Sequence, residues 1–218
     1  MKIILISASP RKNNSRTLAL AKNVLVGCQE EGARTEIVHL RDFRVEFCRH
    51  CELCHKKILR CPIKDRTMVL AKKLLEADGI VFATPNYINQ VTGSLKAFFD
   101  RCSHFIHCKR LLGKYIAAVV TSGSGYDLPV LRYLKYYSII CGGQFSGGIS
   151  ARQDNIKGSI LEAMKLGRKL VSDIVKMRCY PGQVKRIEKG KEYFKRVIQA
   201  RKQDWKEEYL YWQEKGWL

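Results

Sequence analysis

KIILISASPRKNNSRTLALA, residues 2–21, passes from an uninterrupted apolar run through a polar turn into a stretch with helical periodicity. The run at 2–7 shows no alternation of polar and apolar residues. Both faces of its strand must therefore be covered, as they are inside a parallel sheet. From Ser15 onward, Leu18, Ala21, Leu25 and Cys28 recur at helical spacing as far as Gly32, a residue suited to a left-handed C-terminal cap. A buried strand that enters a helix through a short polar turn is the first half of a βαβ unit.

Working outward, the same unit recurs. TEIVHL (35–40) reads as the second strand, GIVFATP (79–85) as the third, YIAAVVTSGSG (115–125) as the fourth with its glycine-rich loop, and GQFSGGIS (143–150) as a weaker fifth. Helices are expected in MVLAKKLLEAD (68–78), capped by Asp65, in SLKAFFDRCSHF (94–105), in DLPVLRYLKYYSIICG (127–142) and in SILEAMKLGRKLVSDIVKM (159–177). Five strands alternating with helices predict an α/β doubly wound parallel sheet in the flavodoxin-like order 2-1-3-4-5. Residues 1–180 form this domain, with a cysteine-rich insertion at 48–61. The segment 181–218, dense in charge and aromatics, is expected as a C-terminal helical extension whose spacing suits packing on a partner subunit.

At 218 residues the chain suffices for one such domain and an appendage. No apolar run approaches the roughly 20 residues of a membrane span, and the first strand is too short for the apolar region of a signal peptide. Nine cysteines without a secretory signal point to metal or redox use in a reducing compartment, so a cytoplasmic location is expected. Forty Lys plus Arg against 20 Asp plus Glu give a net charge of +20, a field that attracts acidic partners: nucleic acid, an anionic surface or an acidic protein. A generally solvated basic surface accounts for the charge equally well. No nucleic-acid recognition motif accompanies the basic residues, which disfavours nucleic acid.

In a doubly wound sheet, ligands bind beyond the carboxyl ends of the strands, where strand order reverses. The loop SASPRKNNSRT there offers the hydroxyls of Ser9, Ser15 and Thr17, the amide of Asn14 and backbone N–H groups at a helix start, a set that satisfies a phosphate. It contains neither GxGxxG nor GxxxxGK[ST]. The loops ATPNYINQVTG and TSGSG lie beside it. Their small residues admit a planar ligand, and Asn86 and Tyr87 can hydrogen-bond or stack against one. Asp100 and Arg101 read as a structural ion pair or helix-end contact, and His104 and His107 as surface histidines.

CRHCELCHKKILRC (48–61) sets three cysteines three residues apart and a fourth seven further on. In an irregular loop that spacing can turn thiolates toward one cubane cluster. Zinc, with His50 and His55 nearby, and a loop of ordinary thiols are the alternatives. Cys28, Cys102, Cys108, Cys141 and Cys179 read as small buried hydrophobes.

Taken in order, SASPRKNNSRTLALA, the C-x2-C-x2-C segment before Asp65, EADGIVFATPNYINQVTGSLKAFFDR and TSGSG resemble the NADPH-dependent FMN reductase and iron–sulfur flavoprotein family over residues 1–150. The resemblance implies FMN, its phosphate held around Ser9, Arg11, Asn14, Ser15 and Thr17 and its ring by Pro85, Asn86, Tyr87, Ser122, Gly123 and Gly125. It also implies a homodimer or homotetramer, with the flavin near the subunit interface. For the iron–sulfur members it implies a [4Fe–4S] cluster on Cys48, Cys51, Cys54 and Cys61. Reductases without a cluster carry similar cysteines followed by Asp-Asp-Met, where this chain has Asp65, Arg66, Thr67 and Met68.

The expected function is an FMN-dependent oxidoreductase whose chemistry is centred on the flavin, with no catalytic side chain. Electrons would pass between a cluster, or an acidic redox protein such as ferredoxin, and FMN for a small-molecule acceptor. An NAD(P)H-dependent FMN or quinone reductase lacking a cluster, and a non-enzymatic basic flavin-binding redox sensor, are the competing readings.

Overall fold

The computed structural model describes the whole chain from Met1 to Leu218. Its sheet comprises β1 (Lys2–Ser7), β2 (Arg34–His39), β3 (Gly79–Pro85), β4 (Tyr115–Ser122) and β5 (Gln144–Arg152). All neighbours are parallel, in the order β2-β1-β3-β4-β5. The expected order holds, and the strand order reverses beside β1, between it and β3.

Period-2 alternation within each buried strand divides the interior in two. Ile4, Ile6, Ile80, Phe82, Ile116, Ala118 and Val120 point to one side. There they meet α3 (Thr67–Glu76), α4 (Gly93–Asp100), α5 (Ser103–His107) and α6 (Leu128–Ile140) through Leu70, Leu74, Phe98, Phe105, Leu134 and Tyr137. Ile3, Leu5, Val81, Ala83, Ala117 and Val119 point to the other side, against α1 (Arg16–Glu30) and α7 (Ile160–Val175). Those two helices touch backbone to backbone: a Cβ at Gly27 would stand 2.1 Å from the Met164 carbonyl oxygen, and one at Gly167 2.0 Å from that of Val24.

The helix expected over 94–105 divides in two, with Arg101 and Cys102 between α4 and α5. The guanidinium of Arg101 enters a buried pair with Asp65, not with Asp100, whose carboxylate takes Lys96 one helical turn away. His104 and His107 are not surface histidines. His104 has no exposure, and burial pushes its imidazole down to about 3; His107 is half-buried. Of the five cysteines read as buried, Cys179 is exposed.

Between β2 and α3 the cysteine segment contributes a single helical turn, α2 (Leu53–Lys56). The C-terminal segment forms α8 (Pro181–Ala200) and α9 (Lys206–Glu214). Several of its aromatics pack within this chain: Trp205 and Trp212 are buried with Cys108 and Ile198, flanked by Phe194 and Tyr209, while Tyr193 is exposed. Lys109 ties α8 to the domain. Its ammonium donates to the Ile140 carbonyl at 3.0 Å, lies 4.9 Å from the Phe194 ring centre, and is pushed by burial down to about 8. Gly190 leaves it room, since a Cβ there would meet the Lys109 Nζ at 2.8 Å.

Candidate functional site

At the carboxyl edge of the sheet, β1 runs out into the polar loop and Ser15 caps α1, its Oγ accepting from the Leu18 N–H at 3.1 Å. The Arg16 and Thr17 amides, in the first turn of the helix, have no intrahelical acceptor and face the positive end of its dipole. Ser9, Ser15 and Thr17 are buried there. The Ser9 Oγ accepts from the Arg11 N–H at 3.3 Å, and the Thr17 and Thr121 hydroxyls meet at 2.6 Å, which draws β4 to the same point. The result is a cleft of about 60 Å³ lined by Ser9, Arg11, Ser15, Thr17, Pro85 and Tyr87, with Arg16, Thr121 and Gln153.

Six of the expected flavin residues thus share one cleft. Asn14 stays on the exposed outer side of its turn. Asn86, Ser122, Gly123 and Gly125 stand on the adjoining rim. Asn86 is fixed by its N–H to the Thr121 carbonyl at 2.8 Å and by its Nδ2 to the Tyr126 carbonyl at 2.7 Å. Its Oδ1 is a buried acceptor without a donor, suited to an N–H of a planar ligand. Ser122 closes the glycine loop by accepting from the Gly125 N–H at 2.8 Å, and Gly125 has the left-handed φ of +82° that the turn demands. A Cβ at Gly123 would meet nothing within 4 Å, so a flat ligand can lie on that backbone.

Arg16, Thr121 and Gln153 were missed. Arg16 lies between Ser15 and Thr17 and donates to the Gln153 carbonyl at 2.7 Å. Gln153 follows β5, whose carboxyl end opens on the same edge of the sheet. The topology alone marked that loop as a contributor.

The cysteine loop lies on the side of the domain that carries α5. Cys48 and Cys51 are exposed, Cys54 and Cys61 half-buried, and all four are free thiols. Charged donors are aimed at two of them. The Arg101 Nη2 points to the Cys61 Sγ at 3.3 Å while its Nη1 is held by the Glu46 carbonyl at 2.9 Å and by Asp65. Burial would raise the Cys54 thiol, but the neighbouring His55 outweighs it and holds the group below the usual thiol range. The Ser103 Oγ lies 3.6 Å from the Cys54 Sγ. Four cysteine sulfurs on one short loop are the kind of donor set that a cluster uses.

Behind the loop, His55, His107 and Glu208 place their ligand atoms within 4.8 Å of one another. The imidazoles are stacked, with centres 4.7 Å apart and 15° between planes. Lone pairs in nearly parallel planes do not converge on one ion, so this cluster reads as a carboxylate shared by two histidines. Burial works against the charge on His55, yet contacts with Cys54 and Glu208 raise its imidazole to about 10.

No helix is long and apolar enough to cross a membrane. The model of the NADPH-dependent FMN reductase family matches residues 1–152. An iron–sulfur flavoprotein from Archaeoglobus fulgidus is 37% identical over 56% of this chain, which spans 60% of that relative's length. A second protein of the same name and organism is 29% identical over 100% of both chains. A solved NADH:FMN oxidoreductase in its apo form superposes with a TM-score of 0.61 at 22% identity, covering 84% of this chain and 92% of its own, a likeness of fold. With the hydroxyl-lined cleft and glycine loop assembled at the carboxyl edge of the predicted sheet, the match over 1–152 means that this chain belongs to the NADPH-dependent FMN reductase family.

Proposed function

We propose that the protein is an FMN-dependent oxidoreductase that passes electrons between a [4Fe–4S] cluster and FMN, receiving or delivering them through an acidic redox protein. The observation that carries the flavin half is the cleft itself: the buried hydroxyls of Ser9, Ser15 and Thr17 around the N-terminus of α1, beside an unpartnered Asn86 oxygen. Ser9, Arg11, Ser15 and Thr17 would hold the phosphate; Asn86, Tyr87 and the Ser122–Gly125 loop would orient the ring. Cys48, Cys51, Cys54 and Cys61 would hold the cluster. FMN supplies two-electron chemistry and the cluster one-electron transfer when bound, while the protein supplies orientation and controls access.

The exposed cations Arg49, Lys56, Lys57, Arg60 and Lys64 surround the cysteines and favour an acidic donor or acceptor whose association weakens with salt.

Protein purified without oxygen is expected to bind about one FMN per chain, since one helix start serves one phosphate. Ser15→Ala is expected to weaken the α1 cap by about 1 kcal/mol and to lower FMN affinity in a fluorescence titration. Failure of the folded wild type to bind FMN would sink the flavin reading. Serine at any one of the four cysteines is expected to remove iron while leaving FMN bound. Wild type that holds FMN, contains no iron and oxidises NAD(P)H would instead be a cluster-free reductase.

A further inference from the structure

The C-terminal segment grips the cysteine loop at successive points. The Glu208 carboxylate, with no solvent exposure, meets the Nδ1 of His55 at 2.6 Å through Oε1 and that of His107 at 3.0 Å through Oε2. Glu207 accepts the Ile58 N–H at 2.7 Å. Arg201 and the Trp205 indole N–H both donate to the Glu52 Oε2, at 2.6 and 3.2 Å. The Trp205 ring tilts over His55 with centres 4.6 Å apart. Every one of these anchors, Glu52, His55 and Ile58, falls between Cys51 and Cys61, with His55 directly after Cys54.

We infer that Arg201–Glu208 is a clamp that positions the cysteine site, with Glu208 the positioning residue that fixes His55, the residue directly after Cys54. This rests on the reading above that the four cysteines hold a cluster. An ionised carboxylate that accepts from the ring nitrogen of a histidine fixes that ring and, with it, whatever the ring's other side touches. The short turn α2, four residues long, has little cohesion of its own, because one hydrogen-bonded turn does not repay its ordering. Its geometry must be imposed from outside, and the chain that imposes it is about 150 residues further on. The iron-binding half of the site is thereby completed by residues outside 1–152, the span that the family model matches.

Glu208→Gln keeps the shape of the side chain and removes its charge. In anaerobically reconstituted holoprotein it is expected to lower iron affinity about 10-fold or more, read by competition with a chelator, and to shift the cluster's reduction potential. Glu208→Asp should restore part of both, and Glu192→Gln, on the exposed side of α8, neither. In iron-free protein the Ile58 amide, bonded to the neighbouring Glu207, should exchange with deuterium about 10-fold faster in Glu208→Gln, as the loosened His55 anchor frees the turn that carries it. Retained FMN binding verifies the sheet in each variant. If Glu208→Gln does not fold, the partly exposed Arg201→Gln is expected to move the same readouts less far.

Iron affinity, potential and Ile58 exchange all left at wild-type values would overturn the clamp, as would faster exchange with unchanged iron binding and potential. Wild type that takes up no iron would sink the cluster reading on its own. In that case, faster Ile58 exchange in Glu208→Gln still supports a clamp on the loop, and unchanged exchange overturns it.

Discussion

Arg101→Met is expected to cost about 3–5 kcal/mol of folding stability, because removing one partner of a buried pair strands the other charge. The Arg101 and Asp65 side chains are 1% and 2% exposed. The guanidinium makes a two-pronged contact, Nη1 to Oδ2 at 2.7 Å and Nη2 to Oδ1 at 3.1 Å. The carboxylate also accepts the Glu46 N–H at 3.1 Å and the Thr67 N–H at 3.0 Å, so it starts α3 as well as holding the end of α4. Burial alone would raise the Asp65 carboxyl, but Arg101 and those amides hold it below its usual value of 3.8.

The sign follows directly. A carboxyl whose value is lower when folded contributes stability that is complete above its unfolded value and is lost as pH falls through the folded one. The gap between wild type and Arg101→Met should therefore narrow in acid below about pH 4. Arg101→Met combined with Asp65→Asn should recover part of the loss, because the stranded charge is gone. Urea unfolding that shows less than about 1 kcal/mol for Arg101→Met would mean that water reaches the pair.

Gly167→Ala is expected to lose about 3 kcal/mol despite the better helix propensity of alanine, and Gly167→Val more. The added carbon would stand 2.0 Å from a backbone oxygen of α1, which no rotamer can relieve, so the helices must part. Parting them also tilts the start of α1, where the residues proposed to hold the FMN phosphate lie. FMN affinity should fall together with the melting temperature, although Gly167 lies on a different helix from every one of them. A thermal melt and a flavin titration on the same sample test both, and a variant with unchanged melting temperature would refute the contact.

The centre of the sheet was legible because β1, β3 and β4 are covered on both faces, and that condition writes itself as an apolar run with sharp ends; GIVFATP matched its strand residue for residue. The hydroxyl-lined cleft at the start of α1 was legible for a related reason, since a capping serine and its neighbouring hydroxyls sit within a few positions of one another. What escaped was long-range and polar. Nothing local marks Asp65 as the partner of Arg101, because an aspartate directly before an arginine, as at 100–101, is the pair the eye finds first. Glu208 reads as one more charge on a charged tail until His55 and His107 are brought to it across more than 100 residues. The tail's aromatics showed correctly that a surface would be covered, but their spacing does not say whose.

The three tryptophans of the chain, Trp205, Trp212 and Trp217, all belong to the C-terminal segment. The flavin domain is therefore silent in indole emission, and ultraviolet fluorescence excited selectively in tryptophan is a report on the last turns of the protein alone. Two of the three indoles are enclosed, and Trp205 lies against the His55 and His107 rings at 4.6 and 4.8 Å. Detachment of this segment would carry those indoles from a dry, imidazole-lined setting into water. Nature has thus placed an optical gauge where the chain's far end meets its thiols, and it can be followed separately from the yellow absorbance that a bound flavin would add.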